Sequence, residues 1–178
     1  GSYGESVNMP TLYQRFASAN YGWFEQIANP DLQAERMRGF DAGIEQSFFD
    51  DKLSFEANYF GNKYSDYIGY EYDDFGTKGW YTNINSAKIS GIEGKITYAP
   101  SKKLKIMLNY TYTKSEDEET GIELPSVPKN RINGTVYYKP HERVDLWAGA
   151  TGYSERTYAM GNSDKLGGYV DVSLGGSV

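Results

Sequence analysis

The sequence predicts an all-β fold, an antiparallel up-and-down meander of about eight strands that forms part of a transmembrane β-barrel. Three observations carry that prediction. Apolar and polar residues alternate with a period of two along most of the chain. Short and long connections strictly take turns. On the apolar face of the strands, aromatic residues stand at both ends with aliphatic and small residues between them.

The strands follow in chain order. A short stub covers 3–6. In 40–48, Phe40, Ala42, Ile44 and Phe48 oppose Asp41, Gly43, Glu45 and Ser47. In 53–60, Leu53, Phe55, Ala57 and Tyr59 oppose Ser54, Glu56, Asn58 and Phe60, and the pattern extends over 52–70. In 91–98, inside a longer candidate strand over 80–99, Ile92, Gly94, Ile96 and Tyr98 oppose Gly91, Glu93, Lys95 and Thr97. The clearest alternation is KLKIMLNYTY at 103–112, with Leu104, Ile106, Leu108, Tyr110 and Tyr112 on one face. Residues 131–138 and 143–150 repeat it, and Val170, Val172 and Leu174 close the series. No helix is expected.

Tight-turn chemistry marks the short connections at Asp50-Asp51, Pro100-Ser101-Lys102 and Pro140-His141-Glu142. The long ones cover 7–34, 71–79, 115–129 and 157–165. Alternation of the two kinds gathers all turns at one end of the sheet and all loops at the other, as in outer-membrane barrels. From Leu104 to Tyr112 is roughly 26 Å along a strand, or about 20 Å at a barrel's tilt, close to the height of a bilayer's apolar band. The opposite face carries Asp41, Glu45, Glu56, Glu93, Lys95, Arg131 and Asp145, too many charges for a small packed interior but suited to a wide, wet or plugged lumen. The apolar face therefore looks out to lipid. A soluble one-sided meander is the alternative, and strands this long are unusual for one.

Composition limits the function. A net charge of −6 speaks against nucleic acid. Without cysteine there is no disulfide framework, thiolate metal site or thiol nucleophile. The mean hydropathy of −0.65 and the lack of a long apolar run leave no transmembrane helix. Barrels escape that test because lumen and loop residues offset the lipid-facing ones. The 17 tyrosines suit lipid–water interfaces. No signal-peptide pattern opens the chain, and Gly1-Ser2 reads as a cloning scar.

The segments SYGESVNMPTLYQRF and NPDLQAERMRGFDAGIEQ, through Tyr3, Gly4, Pro10, Thr11, Leu12, Asn29, Pro30, Leu32 and Glu35, resemble the C-terminal half of the barrel of TonB-dependent outer-membrane transporters. YTNINSAKISGIEGKITYAP resembles the same family through Asn83, Ala87, Gly91 and Glu93, and ELPSVPKNRINGTVYY does so through Pro125, Pro128, Asn130 and Arg131. The resemblance implies a barrel of about 22 strands around an N-terminal plug. It also implies a Gram-negative outer membrane with its lipid and lipopolysaccharide, TonB as partner through the plug, and a ferric siderophore, haem or cobalamin as the transported chelate. Against the family pattern, plug, TonB box and terminal aromatic strand are missing, so the chain is expected to be an internal piece of the barrel domain over 1–178.

Tyr13, Arg15, Phe16, Tyr21, Trp23 and Phe24 concentrate in the first long loop. Aromatic rings stack on flat ligands and arginine pairs with anionic ones, so these six are the candidate ligand contacts. Packing of the loop over the rim, or contact with lipopolysaccharide, is the competing account. Asn29 and Pro30 are turn and strand-start residues. The single histidine, His141, lies in a turn at the opposite end, which places haem behind siderophores, with tyrosine still open as an iron ligand.

Acidic runs at Glu71, Asp73 and Asp74 and at Glu116–Glu119 lack calcium-loop spacing and are solvated loop charge, so no metal site is assigned. Neither a catalytic constellation nor a phosphate-binding glycine loop occurs, so no enzyme activity and no cofactor are expected. A passive porin or adhesin barrel, and a soluble β-sheet binding module, are the alternative functions.

Overall fold

The computed structural model describes residues 1–158 and 164–178, with side chains except those of Ile84 and Asn85. The centre of the connection expected over 157–165 lies outside the described residues. Eight strands build the main sheet: β1 (Ser2–Asn8), β4 (Glu35–Phe48), β5 (Leu53–Tyr72), β6 (Lys78–Ser101), β7 (Leu104–Asp117), β8 (Asn130–His141), β9 (Val144–Tyr153) and β12 (Tyr169–Ser177). They pair in that order, each antiparallel to the next. The first loop adds helix α1 (Leu12–Phe16) and the short strands β2 (Ala19–Asn20) and β3 (Glu25–Ile27). The last loop carries the pair β10 (Arg156–Thr157) and β11 (Lys165–Leu166).

The register shows why the sheet has two unlike faces. One row across it reads Ile44, Ala57, Gly94, Tyr110, Ile132, Gly152 and Val170. The row beside it reads Glu45, Glu56, Lys95, Asn109, Asn133, Thr151 and Asp171. A one-residue slip in any strand would interrupt both rows, so the alternation fixes the register. Along the polar row Lys95 Nζ meets Glu56 Oε1 at 2.5 Å, which offsets the direct opposition of Glu45 and Glu56. Asn109 donates to Asn133 Oδ1 (3.2 Å), and Asn133 to Thr151 Oγ1 (2.8 Å).

Among the described residues nothing covers the apolar face. Ile44 is 77% exposed and Leu174 80%, and the buried apolar side chains among the described residues are only Leu32, Ile68, Ala87 and Leu124. A water-facing sheet of this composition would leave a large continuous apolar surface wet. The sheet is therefore an open piece of barrel wall with its apolar face outward.

Two expectations need correction. A helix does form: Thr11 caps α1, accepting from Gln14 N (3.2 Å) while Thr11 N donates to Gln14 Oε1 (2.8 Å). This is a reciprocal capping box, legible as Thr-x-x-Gln, on a helix of a single turn that is too short to leave a helical period in the sequence. The connection at 71–79 is also shorter than expected. β5 and β6 run on to Tyr72 and Lys78, and a tight turn joins them. The ladder between β4 and β5 stops at Arg36–Ser65 and that between β6 and β7 at Ala87–Asp117. The β5–β6 hairpin thus stands about 20 Å beyond its neighbours, at the rise of a strand.

Candidate functional site at the long-loop end

Above Ser65 the hairpin has two free edges, and the first loop is built to occupy them. β3 pairs in parallel with β6, Glu25 to Lys78 through Ile27 to Trp80, on the edge that β7 leaves open. Asn29 Nδ2 then donates to Tyr81 O (2.9 Å), and Gln33 N donates to Asn83 Oδ1 (2.8 Å). On the other edge Ile68 N donates to Glu35 Oε1 (2.8 Å), and Asn8 Nδ2 binds the second oxygen of the same carboxylate (2.6 Å). Edge groups that would invite foreign strands are satisfied internally.

The kink that makes this possible is Asp66, whose φ of 57° is left-handed. Its carbonyl accepts from Asn83 Nδ2 at 2.6 Å. Leu32, 4% exposed, is buried in the strap between these contacts. Asn29, Pro30, Leu32 and Glu35, together with Asn83, thus form a clasp on the hairpin.

Aromatic side chains pack beneath the strap. Tyr70 meets Tyr81 edge-on with centroids 4.8 Å apart and Tyr72 at 5.2 Å. Tyr13 adds an edge contact to Tyr81 (6.4 Å), and Phe24 contacts Tyr72 (6.3 Å). Tyr81 lies an even number of residues from Glu93 and Lys95 along β6, on the polar, inward side of the sheet.

Facing this cluster, the 118–129 loop folds back along β7, with Leu124 N donating to Ser115 O (3.4 Å) and Asp117 N to Ile122 O (2.9 Å). Ser126 N then bonds Thr157 O (2.9 Å), which ties the third loop to the fourth. Between hairpin and loops opens a cleft of about 740 Å³, lined by Tyr67, Ile68, Gly69, Tyr70, Tyr72, Gly76, Tyr81, Ile89, Leu124, Pro125, Val127 and Tyr158. Its size falls in the range of small-molecule sites. Burial raises the pKa of the Tyr67 and Tyr70 phenols, with smaller contributions from Glu35 at Tyr67 and from neighbouring tyrosines at both.

None of the six candidate ligand contacts lines the cleft. Tyr13 and Phe24 buttress its wall, and Tyr13 OH donates to Gln26 Oε1 (3.1 Å). Arg15 donates through Nε to Pro30 O (3.0 Å) and lies over the Phe16 ring at 5.1 Å. Phe16, Tyr21 and Trp23 are exposed, Trp23 at 78%. A turn at Gly22 (φ 85°) brings Tyr21 N to Phe24 O (2.8 Å). Pro10 is half-buried, and Leu12 is exposed on the helix.

Of the remaining motif residues, Gly91 sits where an added Cβ would fall 2.1 Å from Tyr112 O and 2.7 Å from Phe60 Cζ. Glu93 lies in a polar recess beside Glu56, Lys95 and Asn109. Pro128 leads into β8, and Arg131 stacks on Tyr153 (5.5 Å), whose other contact is Tyr169 (4.7 Å).

The acidic runs build turns. Asp73 accepts from Thr77 N (2.6 Å), Thr77 Oγ1 (2.7 Å) and Lys78 N (2.9 Å), and these bonds hold its pKa down. Glu116 pairs with Lys114 (2.7 Å) and Glu118 with Lys63 (2.5 Å). Sequence reasoning missed the cleft tyrosines. Their signal was available in YSDYIGYEY at 64–72, a tyrosine-dense stretch beyond the length a membrane crossing requires.

The family model described as "TonB dependent receptor-like, beta-barrel" matches residues 1–178. The chain belongs to this family. Among curated relatives of this TonB-dependent receptor barrel, the heme/hemopexin utilization protein C of Haemophilus influenzae strain 86-028NP is 29% identical over 178 aligned residues, covering 85% of the chain and 24% of that protein. The ferric enterobactin receptor of Pseudomonas aeruginosa is 30% identical, over 84% of the chain and 23% of its own length. The chain thus spans about a quarter of the length of the relatives it matches.

Among solved structures, a mutant of the ferric enterobactin receptor PfeA from P. aeruginosa superposes with a TM-score of 0.74 at 25% identity, over 98% of this chain and 29% of that one. The copper transporter OprC superposes at 0.76 and 20% identity, over 98% and 27%, which speaks for the fold alone. The chain is a section of a TonB-dependent barrel, and its open sheet is the geometry of a partial barrel.

Proposed function

We propose that this chain is the loop-bearing wall of an outer-membrane receptor that takes up an iron chelate, a ferric siderophore in the first instance, with TonB driving release through a plug domain. The observation that carries this reading is the inward, tyrosine-lined cleft at the long-loop end. A passive pore has no need of a small-molecule cleft of this size. The relatives named for heme and for ferric enterobactin support an iron chelate as cargo. Cobalamin, another metal chelate of the family, is the comparison cargo.

Phe16, Tyr21 and Trp23 make the first contact with the chelate from the exposed loop. Tyr13, Arg15 and Phe24 hold that loop in place. The outward aromatic residues sit at the lipid interfaces, and the loop rim faces lipopolysaccharide.

The test is growth. The complete gene, expressed in an iron-starved Gram-negative host stripped of its own chelate receptors, is expected to restore growth on an iron chelate only when TonB is present. Growth that persists without TonB points to a passive pore. Restoration of cobalamin-limited growth, but not iron-limited growth, reassigns the cargo.

A further inference from the structure

On the outward face the register lays three cations side by side. Arg38 of β4 stands opposite Lys63 of β5, which stands opposite Lys88 of β6, and all three side chains are exposed. Glu5 and Glu116 end the row. Like charges directly opposite one another destabilise a sheet. Nearby carboxylates answer that repulsion in part: Glu5 meets Arg38 Nε (3.1 Å) and Glu118 meets Lys63 (2.5 Å), while Glu116 pairs with Lys114 (2.7 Å). Exposed pairs of this kind contribute little, so an anion of higher charge displaces them at small cost. Arg36, two residues from Arg38 on the same face, adds a further cation.

The row stands at a defined height. Lys63 lies ten residues beyond Leu53, the first residue of β5, or roughly 33 Å along the strand and about 25 Å at a barrel's tilt. That is the outer edge of the apolar band, where lipid headgroups begin. Below the cations a recess of about 380 Å³ opens among Tyr3, Phe40, Tyr59 and Gly61, with Glu118 the one carboxylate in its described lining. Phe40 lies across Gly61, where an added Cβ would fall 2.8 Å from Phe40 Cε1, and its ring meets Tyr59 at 5.7 Å.

Cationic rim and aromatic floor together define the partner. Residues directly opposite place their Cβ atoms about 5 Å apart, so the Lys63 and Lys88 ammoniums reach one anionic group. A phosphate monoester carries nearly two charges and three acceptor oxygens, enough to engage neighbouring cations at once. The floor faces the bilayer, so the phosphate must be carried by a molecule anchored in the outer leaflet. We propose that Arg38, Lys63 and Lys88 bind a phosphate of lipid A, the phosphorylated sugar anchor of lipopolysaccharide. Its sugar and upper acyl carbons then rest on Tyr3, Phe40 and Tyr59. This proposal rests on the outer-membrane reading above and turns its general rim contact into a defined site.

The experiment is native mass spectrometry of the complete receptor, stripped of lipid in detergent, titrated with three probes: bisphosphoryl lipid A, the same lipid with both phosphates removed, and inorganic pyrophosphate. Bisphosphoryl lipid A is expected to bind at least about tenfold tighter than either of the others. The double variant Lys63→Gln, Lys88→Gln is expected to weaken it by about tenfold or more and to leave the dephosphorylated lipid unchanged. That difference separates loss of the site from general damage to the barrel. Lys88→Arg keeps the charge and the binding. Lys105→Gln, on the inward face near the short turns, changes neither lipid.

Equal affinity for the two lipids overturns the proposal, because the acyl chains alone then hold the lipid. So does lipid A binding that the double variant leaves intact, which places the phosphate elsewhere. Pyrophosphate that binds as tightly as lipid A assigns the row to a free anion and overturns the lipid. A receptor that binds lipid A as expected but supports no TonB-dependent growth on iron chelates overturns the uptake reading and leaves this site standing.

Discussion

The middle of the sheet and its long-loop end obey different rules. In the middle, each residue's role is set by parity: Tyr110 and Ile132 face out, and Asn109 and Asn133 face in, as an unbroken ladder requires. At the long-loop end, the left-handed Asp66 kinks β5 without shifting its pairing with β6, and side chains satisfy backbone groups that no neighbouring strand reaches. The middle resists change through its solvent, while the loop end does so through a few specific hydrogen bonds. The tyrosine-lined cleft lies where the second kind of construction holds the chain.

The sharpest way to break this comparison is to place one charge on each face of the same strand. Leu108→Lys puts an ammonium on the outward face and is expected to cost about 2–4 kcal/mol of folding free energy in a bilayer. Met107→Lys, one residue away on the inward face, is expected to stay within about 0.5 kcal/mol. Denaturant unfolding of the complete receptor in vesicles measures both. Equal costs would mean that the outward face does not meet lipid.

A smaller effect separates two glycines of β6. A Cβ at Gly91 would fall 2.1 Å from Tyr112 O, whereas nothing lies within 4 Å of one at Gly94. Gly91→Ala is therefore expected to destabilise by about 1–3 kcal/mol, through forced movement of Phe60 and the β7 backbone. Gly94→Ala is expected to be neutral to within about 0.5 kcal/mol, read in the same unfolding assay. Two alanines of equal effect would show that the close approach at Gly91 relaxes freely.

The same division explains what could be read from sequence. Alternation in 103–112 gave strand, face and register together, because each residue's neighbour across the ladder repeats the pattern. The hairpin above Ser65 kept strand chemistry, but its Gly, Asp and Glu content resembled a loop. Glu35 and Asn83 belonged to recognisable motifs, yet their partners, Ile68 N and Asp66 O, are backbone groups that no side-chain pattern encodes. The six candidate contacts share a chemical type within one loop. The cleft draws its lining from β5, β6 and two loops distant in sequence.

The clasp itself is testable at intermediate magnitude. Asn83→Ala leaves Asp66 O, Gln33 N and Gln33 O without their side-chain partner. A local loss of about 1 kcal/mol is expected, since Asp66 O loses its partner in a half-buried position while the exposed Gln33 groups turn to water. The readout is hydrogen exchange: amides of 25–35 and of Ile68 should exchange several-fold faster, while those of β7 and β8 keep their rates. Uniform acceleration over the whole sheet would mean that the strap and the middle unfold as one unit.

The smallest effect expected is that of acid on the 118–129 loop. Hydrogen bonds from Thr120, side chain first and then backbone, lower the pKa of Asp117, and the Lys129 ammonium lowers that of Glu123. The Lys63 ammonium does the same for Glu118. Each carboxylate prefers its ionised form more when folded than when unfolded. The stability it contributes is therefore present above the ordinary values of 3.8 for Asp and 4.5 for Glu and is lost as pH falls through the lowered folded values.

Solvent at Glu118 and Glu123 screens their part of the effect, so the loop should open only fractionally, beginning below about pH 4.5. Proteolysis by an acid-active protease should then cut within 118–129 more readily with each step down in pH, with Asp117→Asn opening the same loop at neutral pH. The ladders of β8 and β9 lie away from these three carboxylates, and their protection is expected not to change over the same range. If strands and loop lose protection together, the loop is part of the barrel's cooperative unit, and the division between the two ends of the molecule is one of geometry without a matching division in stability.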